Sequence, residues 1–158
     1  MLTNSDLKYL EEAIETAEKN ISTGGGPFGA LVVRDGVIIA KAANRVVALS
    51  DPTAHAEIIA IREASAALAT HILDDCTLYA SCEPCPMCLG AIYWAGIRRV
   101  VYAATRSDAA AAGFNDEKIY EEIALPPGHR SVVFENACRE PGIRAFAVWE
   151  QYPGKVPY

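Results

Sequence analysis

No stretch of the sequence approaches the ~20 consecutive apolar residues that cross a bilayer, so no membrane partner is expected. Positive charge is in deficit, with 14 Lys and Arg against 20 Asp and Glu and a net charge of -6. A surface built to grip a phosphate backbone needs the opposite balance, which argues against a nucleic-acid partner. Cysteine is scarce and odd in number, at five. The first residues give no export signal, because Asp6, Lys8, Glu11 and Glu12 interrupt their apolar positions. A disulfide framework is therefore not expected, and the cytoplasm is the expected location. Repeats and low-complexity tracts are absent. So is a phosphate-binding loop: Gly24-Gly25-Gly26 runs into Pro27 with no Lys-Ser/Thr pair, which leaves a plain turn.

What is present suits one folded domain over residues 1–158, with 51% hydrophobic and 22% charged residues. Leu7, Leu10, Ile14, Ala17 and Ile21 recur at helical spacing and predict an amphipathic helix over 5–21. Strands are predicted at 28–34 and 37–43, joined at Asp35-Gly36. A second helix follows over 54–69, with Thr53 as its N-cap and His55 and Glu57 in its first turn. A strand at 76–80, a helix at 84–95 and a strand at 97–104 form a βαβ unit with parallel strands. Weaker signals give short helices at 108–112 and 117–123, a fifth strand at 131–135, and helix or strand at 142–150. Cys76, Cys138 and the pair Tyr93-Trp94 read as core, and His71 and His129 as loop residues.

The chemistry concentrates in two segments, Thr53-Ala54-His55-Ala56-Glu57 and Ser81-Cys82-Glu83-Pro84-Cys85-Pro86-Met87-Cys88. Cys85 and Cys88 stand three apart on one helical face, where both thiolates reach one metal ion. The helix N-terminus, marked by Pro84 and Pro86, favours thiolates and bound anions. His55 supplies a third ligand, and a tetrahedral ion with three protein ligands keeps an open position for water. Glu57 beside it reads as a proton carrier. A rival arrangement recruits Cys82 as a fourth ligand and closes the site as a purely structural one, and the cysteine spacing also resembles part of an iron–sulfur run. Asn44 is a turn residue by position, although its amide suits a ligand carbonyl or ring nitrogen. Phe28 is either core or a platform for a planar base.

His-x-Glu followed by Pro-Cys-x-x-Cys is the signature of zinc-dependent base deaminases. Together with Gly26-Pro27-Phe28-Gly29-Ala30, Leu89-Gly90-Ala91-Ile92-Tyr93-Trp94-Ala95, Gly113-Phe114-Asn115-Asp116 and the terminal tyrosine, it makes the chain resemble the cytidine deaminase-like superfamily, and within it the guanine deaminases. The resemblance implies an α/β fold, a three-layer α/β/α domain around a five-stranded mixed sheet. It further implies one Zn2+ per subunit on His55, Cys85 and Cys88, with Glu57 catalytic, and a homodimer. The substrate contacts it implies are Phe28, Asn44, Asp116 (with Glu117 as the alternative acid) and Tyr158. In relatives of this kind the C-terminal segment, here about 143–158, is exchanged between subunits and lids the partner's site. The implied reaction is hydrolysis of guanine to xanthine. Other substrates compatible with the core motif are adenosine in tRNA, guanosine, cytosine or an aminotriazine, and the bland alternative is a non-catalytic zinc module.

Overall fold

Helix α1 (Asn4–Ile21) begins where Thr3 and Asp6 cap each other reciprocally, each side chain taking the other's backbone N–H. Its Tyr9, Leu10 and Ala13 pack on Leu31, Val33, Tyr79 and Val101. These residues alternate along strands β1 (Gly29–Arg34), β3 (Cys76–Cys82) and β4 (Arg99–Ala104), the last paired parallel to β3. Gly29 is required by this packing, since a Cβ there would fall 2.3 Å from the Ala13 carbonyl of α1.

The opposite face of the sheet carries Ala30, Val32, Leu78 and Ala80. Against it lie Ala56, Ala60 and Ala64 of α3 (Ala56–Leu68) and Ile92 of α4 (Pro86–Trp94). Small residues at every fourth position let α3 sit close to the strands. The core leucines Leu31, Leu73 and Leu78 are fully buried, each contributing about 1.5–3 kcal/mol by removal from water.

Strand β2 (Val37–Ala43) returns antiparallel to β1 through Asp35 and Gly36, whose φ values of 49° and 77° are those of a two-residue hairpin turn. The sheet order is β2-β1-β3-β4. The layers are thus helix, sheet and helices, as the resemblance implied, and β3–α4–β4 is the expected parallel unit. A buried polar cluster pins α1 across the sheet. Asp6 accepts from the Tyr79 hydroxyl at 2.6 Å and from Arg99 at 2.7 Å. The Arg99 guanidinium, followed by the Tyr79 hydroxyl, holds the Asp6 carboxyl far below the usual carboxylate range. Burial, and then the bond to Asp6, pushes the Tyr79 phenol up to about 12.

The computed structural model describes residues 2–157, in two compact units, Met1–Asp116 and Glu117–Tyr158. The first holds the sheet, the short helix α2 (Val46–Leu49) and α5 (Arg106–Ala111). The second holds α6 (Glu117–Ala124), a 3-10 turn at Pro127–His129, and α7 (Arg139–Gln151).

Several expectations are corrected here. The sheet has four strands among the described residues, not five, because 131–135 forms none. The Ser131 N–H donates to the Glu122 carboxylate at 2.7 Å, and Arg130 binds the Leu125 and Ile123 carbonyls. These bonds tie the segment's start to the end of α6, and Val132, Val133 and Phe134 follow without the alternation of a half-buried strand. Residues 142–150 are helical, inside α7. Tyr93 and Trp94 are exposed, at 76% and 67%, not core. Cys138 is exposed, whereas Cys76 is buried as expected. Tyr158 lies outside the described residues.

Candidate active site

Strands β2, β3 and β4 run in one direction, so their carboxyl ends share an edge of the sheet, the usual place for a ligand in α/β folds. Both helices that carry the candidate ligands start at this edge. His55 is itself the N-cap of α3, so the helix begins two residues later than the spacing suggested. The reason is Asp51, whose carboxylate takes both the backbone N–H and the hydroxyl of Thr53 and removes Thr53 from capping. Cys85 is the N-cap of α4, Pro86 opens the helix, and Cys88 lies at its third position. Two helix N-termini therefore face one point, and their partial positive charge favours thiolates there.

Three donor atoms meet at that point. The His55 Nδ1 lies 3.5 Å from the Cys85 sulfur and 3.6 Å from the Cys88 sulfur, and the two sulfurs are 3.6 Å apart. For a tetrahedral zinc with bonds of about 2.0–2.1 Å to nitrogen and about 2.3 Å to sulfur, ligand separations of about 3.6 Å (N to S) and about 3.8 Å (S to S) are required. The triangle fits the ion. Among the described residues His55, Cys85 and Cys88 are the group able to hold a metal. Cys82 does not join them, since its thiol donates to the Thr105 carbonyl at 3.5 Å. The closed four-ligand arrangement and the iron–sulfur reading are thereby set aside, and the fourth corner is free of protein donors among the described residues.

The electrostatics agree with a thiolate site. Hydrogen bonding from Cys88, and then from His55, holds the Cys85 thiol well below its usual range. The bond to Cys85 and burial push the Cys88 thiol up, and the bond to Cys85 raises His55. Cation binding to such a cluster displaces the protons of its ligands. Glu57, in the first turn of α3, is 7% exposed. Burial pushes its carboxyl above the usual range, and it is hydrogen-bonded with Cys88. It stands beside the three donors as the sequence suggested.

Asn44 and Phe28 reach the same edge. Arg45 donates its N–H to the Ala54 carbonyl at 2.9 Å, which sets the residue after Asn44 against the residue before His55. Asn44 is buried, and its N–H binds the Phe28 carbonyl at 3.0 Å. Its side-chain oxygen accepts from Val46 N–H at 3.3 Å. The Phe28 ring meets Phe114 edge-on, with centroids 4.9 Å apart and planes at 87°. Phe114 was read only as part of a turn, because no local pattern links it to Phe28. The contact brings the segment that leads to Asp116 onto Phe28. Asp116 itself is half-buried.

The chain is 48% identical over 151 residues to the guanine deaminase of Bacillus subtilis, covering 95% of this chain and 97% of that protein. A solved structure of guanine deaminase from the same organism superposes with a TM-score of 0.94 at 46% identity, covering 99% of each chain. A tRNA-specific adenosine deaminase of Aquifex aeolicus is 37% identical, over 92% of this chain and 83% of that protein. The sequence model of the cytidine and deoxycytidylate deaminase zinc-binding region matches residues 3–104, which contain all three metal donors and Glu57. The chain therefore belongs to the cytidine and deoxycytidylate deaminase zinc-binding family, and it is a zinc-dependent aminohydrolase.

Proposed function

We propose that the chain hydrolyses guanine to xanthine and ammonia. The observation that carries this reading is the likeness to the Bacillus subtilis guanine deaminase, which extends past the metal-binding region through both units. His55, Cys85 and Cys88 would hold the ion, which supplies Lewis acidity that brings the pKa of a water toward about 7. Glu57 takes a proton from the attacking water as its oxygen adds to C2, and delivers that proton to ring N3. Glu57, a carboxylate again, then takes the remaining proton from the C2 hydroxyl and passes it to the departing amine. One water is consumed, the C2–N bond breaks, and C2 becomes a carbonyl carbon. Burial raises the pKa of Glu57, the direction that suits a group that must accept a proton from water.

The remaining residues hold the base. With its oxygen engaged by Val46, Asn44 presents its amide N–H to a ring nitrogen or carbonyl of guanine. Asp116 accepts from the N1–H and 2-amino edge, and Phe28, braced by Phe114, packs against the ring. We infer as well that the protein is a cytoplasmic homodimer. The exposed Tyr93 and Trp94 on α4 support a second copy, since large aromatics are seldom left to water. The segment 143–158 would be exchanged, with Tyr158 closing the partner's site.

Incubation of the purified zinc protein with guanine, guanosine, adenine, cytosine and 2,6-diaminopurine tests this reading. Ammonia and xanthine are expected from guanine at a kcat/KM exceeding the others by about ten-fold or more. Preference for a different substrate would overturn the assignment. The same assay on the chain ended after Gln151 is expected to show a kcat/KM about 100-fold lower, at unchanged zinc content, through loss of water exclusion. Full activity of the shortened chain would remove the lid. An adenosine deaminase acting on tRNA is the second reading, favoured by the Aquifex relative. It requires a salt-sensitive affinity for tRNA, which the net charge of -6 opposes.

A further inference from the structure

Asn20 sits one residue from the end of α1, a poor place for asparagine on helix propensity. Its amide Nδ2 donates to two carbonyl oxygens at once, Gly26 at 2.8 Å and Asn44 at 2.8 Å. A planar amide nitrogen has two N–H groups and serves both acceptors together. The two carbonyls belong to the glycine turn before β1 and to the residue after β2, so Asn20 carries the tie between these segments beyond the last ladder pair, Gly29 with Ala43.

The bonds close into a ring. Phe28 N–H donates to the Gly26 carbonyl at 2.9 Å, Asn44 N–H donates to the Phe28 carbonyl at 3.0 Å, and Asn20 bridges Gly26 back to Asn44. The glycines are fitted to this ring. A Cβ on Gly25 would lie 2.2 Å from the Asn20 amide nitrogen, and one on Gly26 would lie 3.2 Å from the Asn44 side-chain oxygen. The turn that gave no phosphate cradle is thus shaped to admit the Asn20 amide on one side and the Asn44 amide on the other.

We propose that Asn20 is a positioning residue for the substrate: by joining the Gly26 and Asn44 carbonyls it fixes the backbone from which Asn44 and Phe28 face the base. This rests on the reading of Asn44 as a base contact. None of the ring's members is a metal donor, so the effect falls on substrate binding and leaves the zinc site alone.

The substitution Asn20→Asp keeps the shape, removes both N–H donors and sets a carboxylate against two carbonyl oxygens. If that variant does not fold, Asn20→Ala removes both donors without adding charge. Kinetics with guanine, expressed per zinc-loaded chain, are compared in two backgrounds, the natural one and Asn44→Ala. In the natural background KM is expected to rise about ten-fold, the worth of one misplaced hydrogen bond, with zinc unchanged. In the Asn44→Ala background the same substitution is expected to raise KM clearly less, by about three-fold, because only Phe28 is then left to be misplaced. An unchanged KM, with activity falling only as the folded fraction falls, would make Asn20 merely structural and overturn the proposal. Equal KM effects in both backgrounds would overturn it too. If Asn44→Ala alone leaves KM unaltered, the reading of Asn44 fails first and the positioning role fails with it.

Discussion

Glu57→Gln is expected to lower kcat for deamination by about 10²–10⁴-fold while the protein still carries its zinc. Glutamine has the shape of glutamate and can keep a hydrogen bond, but it cannot take a proton from water and return it to a ring nitrogen. The donors that hold the metal are His55, Cys85 and Cys88, so the substitution leaves the metal triangle intact. The site is suited to such a role. Glu57 opens α3 beside two helix N-termini and is almost wholly buried. There desolvation raises its pKa, the direction that strengthens a carboxylate as a proton acceptor. Ammonia release and elemental zinc, measured on the same sample, check this. Turnover within a few-fold of the natural protein would strip Glu57 of the role.

Cys88→Ser and Cys82→Ser should separate completely, although both remove a buried thiol from one short segment. Cys88 is fully buried and lies 3.6 Å from each of the other two donors. A neutral serine hydroxyl cannot replace a thiolate on zinc, so that variant is expected to retain less than about a tenth of the metal and no measurable activity. Cys82 bonds the Thr105 carbonyl instead, an acceptor that a serine hydroxyl also satisfies. The Cys82→Ser protein is expected to keep one zinc per chain and to stay within about three-fold of full activity. Zinc loss on Cys82→Ser would restore the four-ligand structural arrangement and retire the open coordination position.

Much of this was legible in the sequence because it rests on local signals. Asp35-Gly36 forces a two-residue hairpin, and Pro86 with Cys85 and Cys88 specifies a helix start bearing two thiols. The errors arise where a distant partner decides. Thr53 has the composition of an N-cap, yet Asp51 captures it and the cap passes to His55. The Ser131 to Glu135 stretch has strand composition, but Glu122 takes its leading N–H and it forms no strand among the described residues. Tyr93 and Trp94 are apolar enough for a core, and composition does not say that the face they occupy is left uncovered. The Phe28–Phe114 contact and the Asn20 bond to the Asn44 carbonyl join residues far apart in the chain, so no local pattern contains both ends.

The account depends on a zinc ion held by one imidazole and two sulfurs, with its fourth position left to solvent. Zinc-edge X-ray absorption of the purified natural protein reads those ligands directly. Two sulfurs at about 2.3 Å and two nitrogen or oxygen neighbours at about 2.0–2.1 Å are predicted. A shell of three sulfurs and one nitrogen, with no place for water, would contradict the account.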